Sequence, residues 1–156
     1  MSAQHSITLR LLLPPDTEVL ISILQAAEEG EDRIRTTLND GDHRSYAALA
    51  DERLIGAATM RWSEESEIVY IAVAPDLRGR GYGKAIIKLL LEEARRREVH
   101  TILVGTANSS LENIAFYQKC GFRLDHVRPD YFSYIQPPIV ENGIPMRDMI
   151  VLRYTL

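Results

Sequence analysis

A segment between an apolar run and a helical pattern combines glycine with positive charge. Residues 75–86 read PDLRGRGYGKAI, and residues 78–84, here called the glycine turn, are Arg78, Gly79, Arg80, Gly81, Tyr82, Gly83 and Lys84. Glycine has no Cβ, so the backbone can approach a ligand closely and adopt positive φ angles. The first turn of a helix also presents unpaired N–H groups and the positive end of its dipole. The pattern therefore predicts a phosphate site, and the basic side chains favour pyrophosphate.

Two familiar phosphate-binding patterns do not fit this turn. The Walker A pattern needs a glycine where Arg78 stands and a serine or threonine where Ala85 stands. The dinucleotide fingerprint needs its third glycine at position 84, which is lysine. A plain tight turn with exposed charges is the remaining alternative.

Composition limits the classes of protein to which the chain belongs. Its 156 residues point to one domain, residues 1–156. The formal net charge of −4 argues against a nucleic-acid partner, because phosphate backbones favour basic surfaces. No segment approaches the ~20 apolar residues that cross a bilayer, so we expect no membrane partner and a cytoplasmic location. A single cysteine, Cys120, and four scattered histidines predict no metal site.

Hydrophobic periodicity and turn signals predict eleven elements. The predicted strands are residues 6–12, 46–50, 54–61, 67–73, 101–105, 122–127 and 149–154. The predicted helices are residues 16–27, 32–38 and 82–97, and one that a capping box of Ser109 and Glu112 opens and Gly121 ends. Residues 128–148 form a long, proline-rich connection, which is often functional. This order predicts a mixed sheet with helices on both faces.

Two segments resemble the signatures of the GNAT superfamily of N-acyltransferases. VAPDLRGRGYGKAI is similar to its acetyl-CoA-binding segment, in which Arg78, Gly81 and Gly83 match the core pattern. NIAFYQKCGF, residues 113–122, resembles the second signature, and EIVYIAV, residues 67–73, resembles the preceding strand of the histone-acetylating branch. The resemblance implies an α+β (mixed α/β) fold with a central, mostly antiparallel sheet of about seven strands. Its central strands splay apart, and helices cover both faces.

The resemblance also implies how acetyl-CoA, a cosubstrate, is held without a metal. The pyrophosphate would lie on the backbone amides from Arg78 to Lys84, and the pantetheine would lie along the strand edge of Ile71, Ala72 and Val73. The amide of Val73 or its neighbour would polarise the thioester carbonyl, a contribution of commonly ~3 kcal/mol. Asn108 and Asn113 would contact the cofactor, as would Tyr117.

Tyr117 and Glu67 are the expected catalytic residues. Asn113 and Tyr117 are four positions apart on a predicted helix and so share a face. The resemblance makes Tyr117 the general acid for the departing thiolate. A tyrosine has a pKa of about 10 and a thiol a pKa of about 8.5, so this proton transfer is unfavourable by ~2 kcal/mol. Packing of Tyr117 against Phe116 is the alternative. Glu67 matches the general base of the histone-acetylating branch. The alternatives are that Glu67 is an exposed structural carboxylate, or that the base is a water chain, Glu65, Asp130 or Glu141.

The acceptor is expected to be the amine of a small molecule or of a protein. Three residues of the long connection would suit a cationic acceptor: Asp130, Tyr131 and Phe132. The alternative is that this loop packs on its own aromatics or on a second subunit. The function expected is direct acetyl transfer to a primary amine in a ternary complex. A catalytically silent acyl-CoA sensor is the alternative. A homodimer, common for this fold, stays open, and Cys120 is interpreted as a packed residue.

Overall fold

The computed structural model describes residues 6–13, 16–25 and 31–156. The chain divides into two compact units, Met1–Val99 and His100–Leu156. Each unit is built from strands and helices in the predicted order. The interpretation of residues 1–156 as one domain stays a prediction.

Four antiparallel strands form the sheet of the first unit. They are β1 (Ile7–Leu11), β2 (His43–Ala50), β3 (Arg53–Arg61) and β4 (Glu65–Val73), paired in chain order. Asp51 and Glu52 form the turn between β2 and β3, with positive φ angles of 49° and 67°. The chain thus reaches β4 by two successive hairpins, and the end of β4 leads into the glycine turn.

Two short helices cover one face of this sheet. They are α1 (Thr17–Leu24) and α2 (Glu31–Asn39). The predicted end of the first helix at residue 27 lies outside the described residues. Their apolar side chains form a core with residues of three strands: Leu20, Ile21, Ile23, Leu24 and Ile34 with Ala47, Ala57, Tyr70 and Ala72. Alternation then explains why Tyr70 and Ala72 of β4 are buried while Ile71 and Val73 are only half-buried.

The longest helix, α3 (Tyr82–Arg96), packs on the opposite face. Its apolar stripe of Ile86, Leu90 and Ala94 is fully buried. Gly56 faces this helix, because its neighbour Ala57 belongs to the core under α1 and α2. A Cβ at Gly56 would lie 2.6 Å from the Ala72 carbonyl oxygen and 3.0 Å from Ile86 Cδ1. Helices on both faces of the sheet are therefore confirmed for this unit.

The second unit combines three antiparallel strands, one helix and a small hairpin. In chain order they are β5 (Thr101–Ala107), α4 (Leu111–Lys119), β6 (Arg123–Arg128), β7 (Val140–Glu141), β8 (Ile144–Pro145) and β9 (Met149–Thr155). β9 pairs with both β5 and β6, and β7 pairs with β8. The connection 128–148 is therefore not structureless. Its hairpin turns at Asn142 and Gly143, both with positive φ, a dipeptide that is a strong hairpin signal.

The two ends of α4 differ in how well the sequence predicted them. Gly121, with a φ of 100°, ends the helix as expected. The predicted capping box is wrong, because the N-cap residue is Ser110 and its side chain makes no capping hydrogen bond. The hydroxyls of Ser109 and Ser110 donate instead to Glu141 in β7. A contact from a distant segment has thus replaced the local one.

The predicted fold class is confirmed. In the part of the chain that the structure describes, seven longer strands, mostly antiparallel, and four helices make a mixed α/β structure. Among the described residues, no helix is both long and apolar enough to cross a membrane.

Gly56→Ala tests the close approach of α3 to the sheet. We expect the free energy of unfolding to fall by about 1–3 kcal/mol, because the added methyl group meets backbone in a packed core. Gly41→Ala is the matched control, since a Cβ there meets nothing within 4 Å. Urea denaturation measures both variants, and equal losses would contradict the packing argument.

Candidate active site

The glycine turn begins α3 with a left-handed backbone. Gly79 has a φ of 77°, and Gly81, the N-cap residue of α3, has a φ of 84°. A Cβ at either position would meet nothing within 4 Å. These glycines are therefore required by the backbone conformation, and the space in front of them is open.

The head of α3 offers backbone donors in a positive setting. Its first helical hydrogen bond runs from the Ala85 N–H to the Gly81 carbonyl at 3.2 Å. The N–H groups of Tyr82, Gly83 and Lys84 precede that bond and have no partner within the helix. The first turn of α3 contains no acidic residue, and Arg78, Arg80 and Lys84 are exposed. This donor set fits a diphosphate.

A short turn fixes the glycine turn to the sheet. The Ala74 N–H donates to the Ile55 carbonyl at 2.8 Å, and the Leu77 N–H donates to the Ala74 carbonyl at 2.9 Å. The Leu77 side chain is buried. Because this anchor lies directly before Arg78, the turn is held at the end of β4.

The backbone groups of β4 alternate in direction, and some of them point away from β3. Ala74 N–H points to β3, and the direction alternates along an antiparallel strand. The N–H and C=O of Val73 and Ile71 therefore point away from β3, whereas those of Ala72 point towards it. In agreement, the Arg78 Nε donates to the Val73 carbonyl at 3.3 Å. The register also shifts between Thr59 and Met60, which leaves Val69 as an extra residue in β4.

Tyr117 is buried among aromatic rings in α4. Its ring lies edge-on to Phe116 at 5.2 Å and to Phe122 at 5.9 Å between centroids. Burial raises the pKa of the Tyr117 phenol well above its usual value, and the nearby Cys120 raises it further. The phenol therefore keeps its proton at neutral pH. Asn113, one turn earlier, is exposed, and its Nδ2 donates to Thr106 Oγ1 at 3.4 Å.

The Asn108 carboxamide is largely occupied by the chain itself. Its Oδ1 accepts from the N–H groups of Arg147 at 2.9 Å and Asp148 at 3.0 Å, and its Nδ2 donates to the Pro145 carbonyl at 3.2 Å. One N–H of the amide is left for other contacts. Its clearest role in the structure is to hold residues 145–148.

Glu67 forms a cross-strand ion pair. It lies opposite Arg61, and Arg61 Nη2 is 2.6 Å from Glu67 Oε2. The Glu67 side chain is 19% exposed and that of Arg61 is 47% exposed. The carboxylate is therefore accessible from solvent but shares one oxygen with a cation.

The aromatic residues of the connection 128–148 cluster on one another. The Tyr131 ring lies 5.0 Å from Phe132, and the Phe132 ring lies 6.5 Å from Tyr134. Tyr131 and Tyr134 are exposed. The Asp130 N–H donates to Asp148 Oδ1 at 2.8 Å, with Asp130 at a φ of 56°. The three residues predicted to bind the acceptor amine thus lie in one turn of the second unit, here called the aromatic turn.

The predicted site residues fall into two groups. The glycine turn, the end of β4 and Glu67 belong to the first unit; Asn108, Asn113, Tyr117 and the aromatic turn belong to the second. Sequence reasoning missed the ion-pair partner Arg61, the bulge at Val69 and the contacts of Glu141 and Asn142 with the start of α4. The Asn142-Gly143 dipeptide signalled the hairpin that carries these two residues, but not its contacts with α4.

Comparison with known proteins agrees with this geometry. Residues 10–122 match the Acetyltransferase (GNAT) family. The chain belongs to the GNAT family. It is 35% identical over 148 residues to the uncharacterized N-acetyltransferase YvbK of Bacillus subtilis, a match that covers 92% of this chain and 94% of the relative. The GNAT chain is therefore an acyltransferase.

Two solved structures resemble this GNAT chain over nearly its full length. An acetyltransferase of Bacillus subtilis in complex with CoA has a TM-score of 0.87 and 32% identity, covering 97% of this chain and 99% of the other. A GNAT acetyltransferase of Elizabethkingia anophelis with acetyl-CoA bound has a TM-score of 0.82 and 31% identity, covering 96% and 98%. Homologous structures thus bind CoA or acetyl-CoA.

The raised pKa of Tyr117 predicts a pH dependence for the stability of this GNAT chain. Unfolded tyrosine ionises near pH 10, whereas folded Tyr117 keeps its proton to higher pH. The stability that protonated Tyr117 contributes to the fold is therefore fully present below about pH 10 and is lost as the pH rises above that value. In urea denaturation at increasing alkaline pH, Tyr117→Phe should lose stability less steeply than the wild type. A wild-type slope in Tyr117→Phe would contradict the argument.

Proposed function

We propose that this GNAT acyltransferase moves an acetyl group from acetyl-CoA directly to a primary amine while both substrates are bound. The observation that carries the proposal is the open, left-handed turn at Gly79 and Gly81, with unpaired amides behind it and basic side chains around it. Acetyl-CoA would supply the acetyl group as an activated thioester.

The backbone of the first unit supplies the binding groups for the coenzyme. The amides from Arg78 to Lys84, with the three basic side chains, would hold the pyrophosphate. Ile71 and Val73 would hydrogen-bond the pantetheine, because their backbone groups point away from β3. Ala72 contributes less, since its backbone faces β3 and its side chain belongs to the core.

The Val73 N–H is the proposed donor to the thioester carbonyl. A fixed backbone N–H contributes most when charge develops on the oxygen, commonly ~3 kcal/mol. Two features support the rigidity of this amide: the anchor at Ala74 and the buried side chain of Leu77.

Tyr117 is the proposed general acid for the departing thiolate. Burial guarantees that the phenol is protonated, but its raised pKa makes it a reluctant donor. Donation must therefore be concerted with cleavage of the C–S bond, when the sulfur bears its growing charge beside the phenol. Asn113 shares the same helical face and would contact the coenzyme.

Glu67 is the proposed base for the acceptor amine. An amine of pKa about 10.4 is protonated at neutral pH and must lose a proton before attack. Glu67 is a carboxylate that solvent reaches, and its ion pair with Arg61 fixes the position of one of its oxygens. A water chain that ends at Glu67 would serve the same purpose.

The acceptor is proposed to be a small-molecule or protein amine that contacts the aromatic turn. Tyr131 and Phe132 offer ring faces and edges to a cation, and Asp130 lies beside them. A cytoplasmic homodimer is part of the proposal, and light scattering of the purified protein tests the assembly.

A silent acyl-CoA-binding sensor is the second candidate. Two observations favour it: Tyr117 is packed among rings with a raised pKa, and Glu67 is held by Arg61. Release of free thiol from acetyl-CoA with a panel of amines distinguishes the candidates. Amine-dependent release supports the enzyme, whereas tight binding of CoA with no release by any amine supports the sensor.

Charge reversal at Arg80 tests the pyrophosphate site. Arg80→Glu should weaken binding of CoA about tenfold or more, because a charge-assisted hydrogen bond contributes about 1.5–3 kcal/mol. Arg95→Glu, an exposed arginine in the last turn of α3, is the control and should bind CoA as the wild type does. Calorimetry measures both, and unchanged affinity in Arg80→Glu together with Arg78→Glu would remove the glycine turn from the site.

Tyr117→Phe tests the general acid. Loss of the hydroxyl should lower kcat about 100-fold or more, the usual range for a positioned acid, while the aromatic packing and the affinity for CoA stay nearly intact. Steady-state release of thiol gives kcat, and calorimetry gives the affinity. Equal turnover in both proteins would exclude Tyr117 as the acid.

A further inference from the structure

The turn of the β7–β8 hairpin is hydrogen-bonded to the head of α4. Glu141 Oε1 accepts from Ser110 Oγ at 3.0 Å and from Ser109 Oγ at 3.3 Å. Asn142 Nδ2 donates to the Ser109 carbonyl at 2.9 Å and to Glu112 Oε2 at 3.1 Å. Four hydrogen bonds thus join two consecutive hairpin residues to residues 109–112.

These contacts lie where electrostatics strengthens them. Ser109 and Ser110 are 0% and 7% exposed, and Glu141 is half-buried. The carboxylate lies at the positive end of the helix dipole, and hydrogen bonds to an ionised acceptor are stronger than neutral ones. Glu141 therefore fixes the two serines that precede the first turn of α4, a helix with no side-chain cap of its own.

The same segment continues into the aromatic turn. Asn108 holds residues 145–148 through its carboxamide, and its N–H donates to the Asp148 carbonyl at 2.9 Å. Asp148 in turn accepts from the Asp130 N–H, and the Phe132 N–H donates to the Arg147 carbonyl at 3.0 Å. The connection 128–148 and the start of α4 thus form one hydrogen-bonded structure.

We infer that Glu141 is a positioning residue for Tyr117. Through Ser109 and Ser110 it fixes the start of α4, and it joins this start to the connection 128–148, which contains the residues proposed to bind the amine. The inference rests on the proposed function, in which Tyr117 acts as the acid. Tyr117 lies six residues after Leu111, about 9 Å along the helix, so a tilt at the head is transmitted to the phenol. A misplacement of about 1 Å can lower a rate about 100-fold.

Two substitutions of Glu141 separate this role from that of a base. Glu141→Ala removes the carboxylate that accepts both serine hydrogen bonds. The kcat should then fall about 10- to 100-fold, with nearly unchanged affinity for CoA. Glu141→Gln keeps an amide oxygen for both hydroxyls but not the charge, so it should lose clearly less activity than Glu141→Ala. If both variants lose activity equally, Glu141 acts as a base, and the inference is wrong.

The Tyr117→Phe background separates positioning from general destabilisation. If Glu141 acts through the Tyr117 hydroxyl, Glu141→Ala should lower kcat no further in Tyr117→Phe, because effects of residues that act as a unit are not additive. Full additivity would overturn the inference. Gln118→Ala, in the last turns of the same helix, is the control and should leave kcat unchanged.

Hydrogen exchange provides a readout that does not depend on turnover. Amides of residues 111–117 should exchange faster in Glu141→Ala than in the wild type, and those of α3 should not change. Ser110→Ala, which removes one hydroxyl, gives a second variant if Glu141→Ala does not fold. If the wild type acetylates no amine, the proposed function fails; faster exchange confined to α4 then still supports the fixing of the helix by Glu141, and unchanged exchange overturns it.

Discussion

Unpaired backbone N–H groups at the head of α3 are the feature on which the rest of the first unit depends. They are available to a ligand because Gly81 begins the helix in a left-handed conformation and brings no capping side chain. Such groups are stable only if the helix cannot slide or fray, and five buried side chains provide that stability: Ile86, Ile87, Leu90, Leu91 and Ala94. Each large apolar side chain that is fully buried contributes about 1.5–3 kcal/mol. Packing far along α3 therefore holds its first turn open.

The two helix heads illustrate opposite uses of the same backbone physics. The head of α3 has arginine, lysine and glycine around it, and no acidic residue in its first turn. The head of α4 is covered by two carboxylates: Glu141 accepts from the serines, and the Glu112 side chain accepts from its own N–H, which lowers its pKa. A protein carboxylate and a diphosphate would compete for the same donors. The proposed anion site is therefore at the head of α3, and in the proposed mechanism α4 supports Asn113 and Tyr117.

Local patterns in the sequence predicted the parts of the site that are built locally. β4, the glycine turn and α3 follow one another, so periodicity and three glycines were sufficient. The ion pair of Arg61 with Glu67 depends on strand register, and the contact of Glu141 with Ser110 joins residues 31 positions apart. No local pattern encodes such contacts. The predicted capping box failed because the helix has Ser110, and not Ser109, as its N-cap residue, a one-residue difference that the local pattern does not resolve.

The burial of Tyr117 has opposite effects on an acid catalyst. Desolvation raises its pKa and so weakens it as a free acid, but the same packing against Phe116 and Phe122 restricts the ring. A restricted, always protonated donor loses little entropy when it meets a developing thiolate. Its low acidity also prevents transfer before the C–S bond begins to break, because only the growing charge on sulfur makes the proton transfer favourable. In the proposed mechanism, the helix that fixes the phenol therefore matters as much as the pKa of Tyr117, and the rigidity of the head of α4 becomes a requirement.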